Sequence, residues 1–374
     1  MSGLRNTSGF IERVGDLEGV VDAWRAIYRK AQRPNPFSSW EWTKEFLTTY
    51  ADSGKVLVWY YKRNGELVAL APLQRNATNF TFLQNHDLND YCDMLSADSD
   101  ESIAQTFVSD LVIRAGKGVE LRLGPIRTDA VQWPSLSRTL ATLGRCSVQR
   151  KHTFNPFIGL VGDFSSLSAS RSKGLRQGVR TTINHLDRLG GWSFETASRG
   201  AAAEEIYEAL VGFHLVRQAN KPGASVFENE RHRLFLKSIL GRLEPSVVTH
   251  LSAIRLKGRI VSAAYSLIAG DSLYYWMPSF DASLTSMSLG KLQVWELLRE
   301  CYRRGLRRFD FMGGDETYKL RWTNEGIDVN ECIVYAGILQ RLAESSVSRA
   351  RSAGRRIARS QAIRGLLFRT MQKH

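Results

Sequence analysis

The chain has 374 residues, of which 43% are hydrophobic and 10% aromatic, enough to bury a sizeable core and to exclude a disordered protein. Its formal net charge is +14, yet nine basic residues from Arg341 to Lys373 face Glu344 alone, so the basic signal is concentrated in the tail. No stretch approaches the ~18 consecutive apolar residues of a membrane-spanning helix, and the start lacks the apolar run of a secretory signal.

Cys92, Cys146, Cys301 and Cys332 are scattered and form no Cys-x-x-Cys pair. Free thiols in a reducing cytoplasm are therefore expected, rather than disulfides or a zinc site. At roughly 150 residues per domain, the length predicts two or three domains.

In chain order, Val14, Leu17, Val20, Val21, Trp24, Ile27 and Tyr28 predict a helix over 11–30. Pro34 and Pro36 end it, and Asn35-Pro-Phe-Ser-Ser-Trp-Glu-Trp leads into a second helix to Tyr50, with Ser38 or Ser39 as N-cap. A hairpin turning at Asn64-Gly65 follows, then a third strand over 79–83. His86, Asp90 and Asp93 lie in a polar loop; one His and two Asp there are a weak metal signal, and no metal site is expected. A helix over 101–115, a strand over 118–123, a helix over 134–143, an edge strand over 147–152 and an extended stretch from Phe154 complete this half.

Phe164 to Asp187 changes character: Arg171, Lys173, Arg176, Arg180 and Arg188 stud a helix whose apolar stripe includes Leu175, Val179, Ile183 and Leu186. The basic face either grips phosphates or is simply solvated. His214 lies on a helix over 201–216, as a structural residue or a base. A helix over 229–243, strands over 247–256, 259–268 and 272–278, a polar loop 279–288 and a helix over 289–304 follow, with a last strand over 328–335. Before that strand comes Arg308-Phe-Asp-Phe-Met-Gly-Gly-Asp-Glu-Thr-Tyr-Lys-Leu-Arg-Trp322. It predicts a buried strand 309–312 and a sharp turn at Gly313-Gly314. Asp315 would cap a brief helix carrying Tyr318, Lys319 and Trp322. Such a corner can hold an anionic donor or move a proton, or it can be a solvated strand–turn–helix.

Two hairpins, around Asn64-Gly65 and Lys257-Gly258, are each followed by a strand, a helix and a strand ending in glycine. The echo suggests two α/β lobes. On this element order, on Asn35-Pro-Phe-Ser-Ser-Trp-Glu-Trp, on the basic helix and Phe213-His214, and above all on 284–291 and 309–322, the chain resembles the CelD/BcsL-type acetyltransferases of bacterial exopolysaccharide and cellulose gene sets. These are in turn similar to the FemABX peptidyltransferases. The resemblance implies an α/β fold of α+β type, with two tandem GNAT-like lobes at 1–153 and 154–340. Mixed, mainly antiparallel sheets flanked by helices would form the lobes. Residues 341–374 read as a basic amphipathic helix resting peripherally on the inner face of the membrane, which the resemblance favours, or as a solvated arm that contacts nucleic acid.

It further implies an acetyl-CoA or other acyl-CoA donor and a sugar, polysaccharide-precursor or amine acceptor. The donor would bind along Tyr275, Trp276 and Met277 of a splayed strand and at Ser286, Ser288, Leu289, Gly290 and Lys291. Here the loop Thr285-Ser-Met-Ser-Leu-Gly290 departs from the usual glycine-rich pattern. Asp310 is the expected base or its orienter, Tyr318 the proton donor to the thiolate, and His214 a second base. Asp315, Lys319 and Trp322 are expected to face substrate, with Lys319 anchoring an anion or pairing with Asp315. An aminoacyl-tRNA-dependent transferase and a non-catalytic scaffold at the envelope are the alternatives.

Overall fold

The computed structural model describes residues 6–31, 33–50, 55–83, 88–116, 118–143, 147–219 and 225–335; the basic tail, His86 and Cys146 lie outside them. The chain opens with β1 (Thr7–Ile11), a 3₁₀ helix (Val14–Val20), α1 (Val21–Lys30) and α2 (Trp40–Tyr50). The single helix expected over 11–30 is thus split. Val14, Leu17 and Val20 recur every third residue, the period of a 3₁₀ turn, and Phe10 is held opposite Trp59 in a strand pair. Between α1 and α2, Asn35 accepts the Phe37 N–H at 2.8 Å, and Trp24 donates its indole N–H to the Ser38 carbonyl at 3.0 Å. Of the two candidate caps for α2, Ser39 does the work, its hydroxyl accepting the Trp42 N–H.

Next come β2 (Lys55–Arg63), β3 (Glu66–Arg75), β4 (Asn79–Phe82), β5 (Leu95–Ser96), α3 (Glu101–Ala115), β6 (Glu120–Arg127), α4 (Trp133–Thr142) and β7 (Ser147–Gly159). They are followed by α5 (Phe164–Ser170), α6 (Lys173–Arg188), β8 (Trp192–Ala197), α7 (Gly200–Gln218) and α8 (Glu230–Ser238). The basic helix expected around Arg171 to Arg188 is α6: Arg171 is extended, and Ser172 starts the helix by accepting the Leu175 N–H. The hairpin strands β9 (Val247–Leu256), β10 (Arg259–Ala269) and β11 (Ser272–Phe280) lead to α9 (Leu289–Arg303), β12 (Arg308–Asp310), α10 (Thr317–Leu320) and β13 (Gly326–Val334).

All thirteen strands among the described residues join one mixed, mostly antiparallel sheet in the order β1-β2-β3-β4-β6-β13-β7-β12-β11-β10-β9-β8, with β5 added beside β3. The strand expected over 147–152 is therefore not an edge. It continues through Phe154 to Gly159 as β7, paired with β13 along most of its length and with β12 at its end. The expected lobe boundary at 153/154 falls inside this strand.

One face of the sheet packs against α1, α2, α7 and α8 in a core that runs across both halves, from Trp24 and Trp42 to Tyr207 and Phe235. The other face carries α3 and α4 in the first half and α5, α6 and α9 in the second. Each fully buried large side chain contributes about 1.5–3 kcal/mol, so this two-faced core holds the halves together. Among the described residues, no helix is long and apolar enough to cross a membrane.

Candidate active site

β11 and β12 run parallel for only three pairs, Ser272 with Arg308, Leu273 with Phe309 and Tyr274 with Asp310, and then part. Two local causes separate them. Asp310 Oδ1 accepts the Met312 N–H at 2.8 Å, turning the chain out of line, with Met312 at φ 58° and Gly314 at φ 96°. β11 remains paired with β10 through Phe280 but bulges at Trp276, where Tyr265 faces Met277 and Ser266 faces Tyr275. From Tyr275 to Phe280 its other edge meets no strand among the described residues, leaving backbone groups free. α9 begins at this opening: its N-cap Ser288 is left-handed and offers no side-chain cap, and a Cβ on Gly290 would lie 3.9 Å from the Phe280 ring. Fifteen residues of helix thus point an unscreened positive dipole end at the gap.

The expected site residues divide around this opening. Tyr275 and Met277 are almost sealed, packed into the cores on opposite faces of the sheet, Leu289 is core, Trp276 is half-buried, and Ser286 is exposed. Ser288, Gly290 and Lys291 are half-buried at the head of α9, with Lys291 Nζ 3.3 Å from where a Cβ on Gly178 of α6 would sit. Tyr318 is exposed on α10, and Trp322 is buried in the core beside Trp295. Lys319 is buried and donates to the Gly313 carbonyl at 2.5 Å and to those of Met312 and Gly314 at 3.4 and 3.3 Å, clamping the turn. Its ion-pair partner is Glu316 at 2.8 Å rather than Asp315, which is exposed. The N-cap of α10 is likewise Glu316, with no side-chain cap, because the glycine turn runs one residue further than expected. His214 lies on α7 with Nδ1 2.8 Å from Ser225 Oγ.

Asp310 lies on the opposite face of β12 from Phe309, fully buried, so it builds the opening from behind. Tyr91 donates to its Oδ1 at 2.9 Å, Asn155 donates to the Tyr91 hydroxyl at 3.0 Å, and Arg308 Nη2 stands 3.5 Å from Oδ2. Arg308 also pairs with Asp129 at 3.0 Å, and Arg127 donates to the Tyr274 hydroxyl at 3.2 Å. Burial pushes the Asp310 carboxyl above its ordinary range, against the pull of Arg308, the Met312 N–H, Arg127 and Tyr91. Asp90 is raised for the same reason, and its carboxylate accepts the Gly313 N–H at 3.2 Å. No group of three or more His, Cys, Asp or Glu side chains among the described residues is placed to hold a metal.

One residue at the opening was missed from the sequence. Arg217, at the end of α7, stacks its guanidinium 4.0 Å from the centre of the Phe280 ring. The available signal was negative: Phe213 and His214 stand one turn before it on α7, so that helix puts no acid at hand to pair with it.

Residues 173–320, from α6 through α10, match the family model described as an acetyltransferase (GNAT) domain, so the parted strands and the head of α9 lie within a GNAT-type fold. Solved structures extend the likeness across the chain. FemX is similar at 10% identity and TM-score 0.61, covering 87% of this chain and 97% of its own. A conserved protein of unknown function from Bacteroides thetaiotaomicron VPI-5482 gives 11% and 0.57, over 88% of this chain and all of its own. A C-terminal DUF2156 domain from Agrobacterium fabrum, assigned to a lysylphosphatidylglycerol synthetase, gives 12% and 0.56, over 88% and 96%. At such identities the likeness is one of fold. No curated protein sequence matches the chain.

Proposed function

We propose that the protein is an acyltransferase that moves an acyl group, acetyl in the simplest case, from acyl-CoA to a hydroxyl or amine. The acceptor we assign is a polysaccharide or cell-envelope precursor, as the CelD-type resemblance implies. The observation that carries this reading is the parting of β11 and β12 opposite the uncapped head of α9, inside the stretch that matches the GNAT family model. Free N–H groups on the exposed edge of β11 suit a thioester oxygen as it gains charge, and the helix end with Lys291 suits phosphates. The donor would supply the activated acyl carbon.

Within this reading, His214 takes the acceptor's proton and Tyr318, exposed on α10, returns one to the leaving thiolate. Asp310 holds the Met312 turn that keeps the strands apart, a positioning role suited to a sealed carboxyl. Calorimetric titration with acetyl-CoA and its desulfo analogue, with thiol release followed in parallel, is the test. Donor binding and acceptor-dependent thiol release are expected, and absence of donor binding would end the acyl-CoA reading. A second reading, transfer from aminoacyl-tRNA, draws support from α6, where Lys173, Arg176, Arg180 and Arg188 are exposed and none pairs with a carboxylate among the described residues. Binding to tRNA alone is the outcome that would favour it.

A further inference from the structure

We propose that Arg217 is an anion anchor of the cleft, its guanidinium binding a phosphate or carboxylate carried by one of the two substrates. The proposal rests on the cleft being the substrate site described above, and it adds a residue contributed from the far side of the sheet.

The placement follows from contacts. α7 packs its apolar side, Ile206, Tyr207 and Leu210, on the face shared with α1, α2 and α8. Tyr275 packs on the opposite face, and Phe280 leans there against the α6 and α9 core. Arg217 nevertheless lies over the Phe280 ring, and its charge acts on the Tyr275 and Tyr318 phenols. Its side chain therefore ends at the last residue of β11, beside the opening. The same Phe280 ring is the nearest neighbour of Gly290, so the guanidinium and the head of α9 flank one aromatic ring.

The chemistry follows from what Arg217 lacks. It is half-buried, yet among the described residues no carboxylate lies within ion-pair distance and no hydrogen bond engages its nitrogens, which are not among the sealed polar atoms. The other substantially buried arginines are engaged: Arg127 with Tyr274 and Asp129, Arg308 with Asp129, Arg255 with Glu195 and Glu205. A half-desolvated guanidinium has five donors in a fixed fork, and its free-energy cost falls when a bidentate anion replaces missing partners. The Phe280 face fixes the plane of that fork.

The test is calorimetric titration of the full chain with inorganic pyrophosphate and, separately, with acetyl-CoA. It compares wild type, Arg217→Gln, Arg217→Lys and, as a surface control, Arg29→Gln on α1, with melting curves checking that each variant folds. Arg217→Gln is expected to weaken pyrophosphate about tenfold or more, Arg217→Lys to keep part of the affinity, and Arg29→Gln to change it less than about twofold. Pyrophosphate bound equally by wild type and Arg217→Gln, or not bound by wild type, would overturn the proposal. If acetyl-CoA loses the same factor in Arg217→Gln, the anion is the donor's; if acetyl-CoA is unaffected, it is the acceptor's. Arg217-dependent pyrophosphate binding without acetyl-CoA binding would leave the anchor standing and remove only the acyl-CoA reading.

Discussion

Asp310 shows how one side chain can shape a cleft it does not line. Its Oδ1 takes both the Met312 N–H and the Tyr91 hydroxyl, while its charge faces Arg308 across 3.5 Å. Asp310→Asn keeps an oxygen for the Met312 N–H but removes the charge opposite Arg308. We expect a loss of about 1–3 kcal/mol in chemical denaturation and abolished turnover in a chain that still folds. Unchanged turnover would take Asp310 out of the mechanism. Asp93 is a second informative carboxyl: burial pushes it up to about 7, although Arg127 and the Met94 N–H pull it down. An acid whose folded pKa exceeds its unfolded value binds its proton more readily when folded, so its contribution to stability falls as pH rises. For Asp93 that fall lies between the ordinary carboxylate value near 3.8 and about 7. Asp93→Asn should therefore raise the melting temperature at pH 8 and leave it nearly unchanged at pH 4. An equal shift at both pH values would show that the carboxyl titrates normally in the fold.

At the scale of elements, the opening depends on α9 starting without a side-chain cap beside a free strand edge. Gly290 sits in its first turn with only the Phe280 ring near, so a methyl group fits the fold but stands where a phosphate would approach. Gly290→Ala should melt no lower than wild type, since alanine favours a helix by roughly 0.5–1 kcal/mol over glycine, while acetyl-CoA affinity drops in calorimetry. Unaltered affinity would place the donor elsewhere. The three C-terminal hairpin strands, the glycine turn and α9 were legible in the sequence because each is set by neighbours. Asn64 and Lys257 accept positive φ at tight turns, and the apolar residues of α9 recur at helical spacing. What escaped was set at a distance. Tyr91 meets Asp310 from 219 positions away, Arg217 finds Phe280 only through the packing of α7, and β7 reads as two pieces until β13 pairs along it.

Across the whole molecule the two halves are interlocked rather than strung together. β13, the last described strand, inserts between β6 and β7, and β7 passes its far end to β12, so each half borrows a strand from the other's span of sequence. The shared core beneath α1, α2, α7 and α8 crosses the same junction, and Tyr274 donates to the Pro34 carbonyl at 3.0 Å. Ile333, fully buried, faces Val148 of β7 on one side and Arg122 of β6 on the other. Proline there removes a donor from the middle of the sheet and forces its ring into a packed strand, a cost of about 3 kcal/mol or more. If the halves share one cooperative unit, that cost falls on both. Hydrogen exchange in Ile333→Pro should then accelerate together in β2–β3 of the first half and β9–β10 of the second, and calorimetry should show one transition moved to lower temperature. Exchange that quickens in β2–β3 while β9–β10 keep wild-type protection would mean independent lobes. The cleft would then draw its rigidity from the C-terminal half alone.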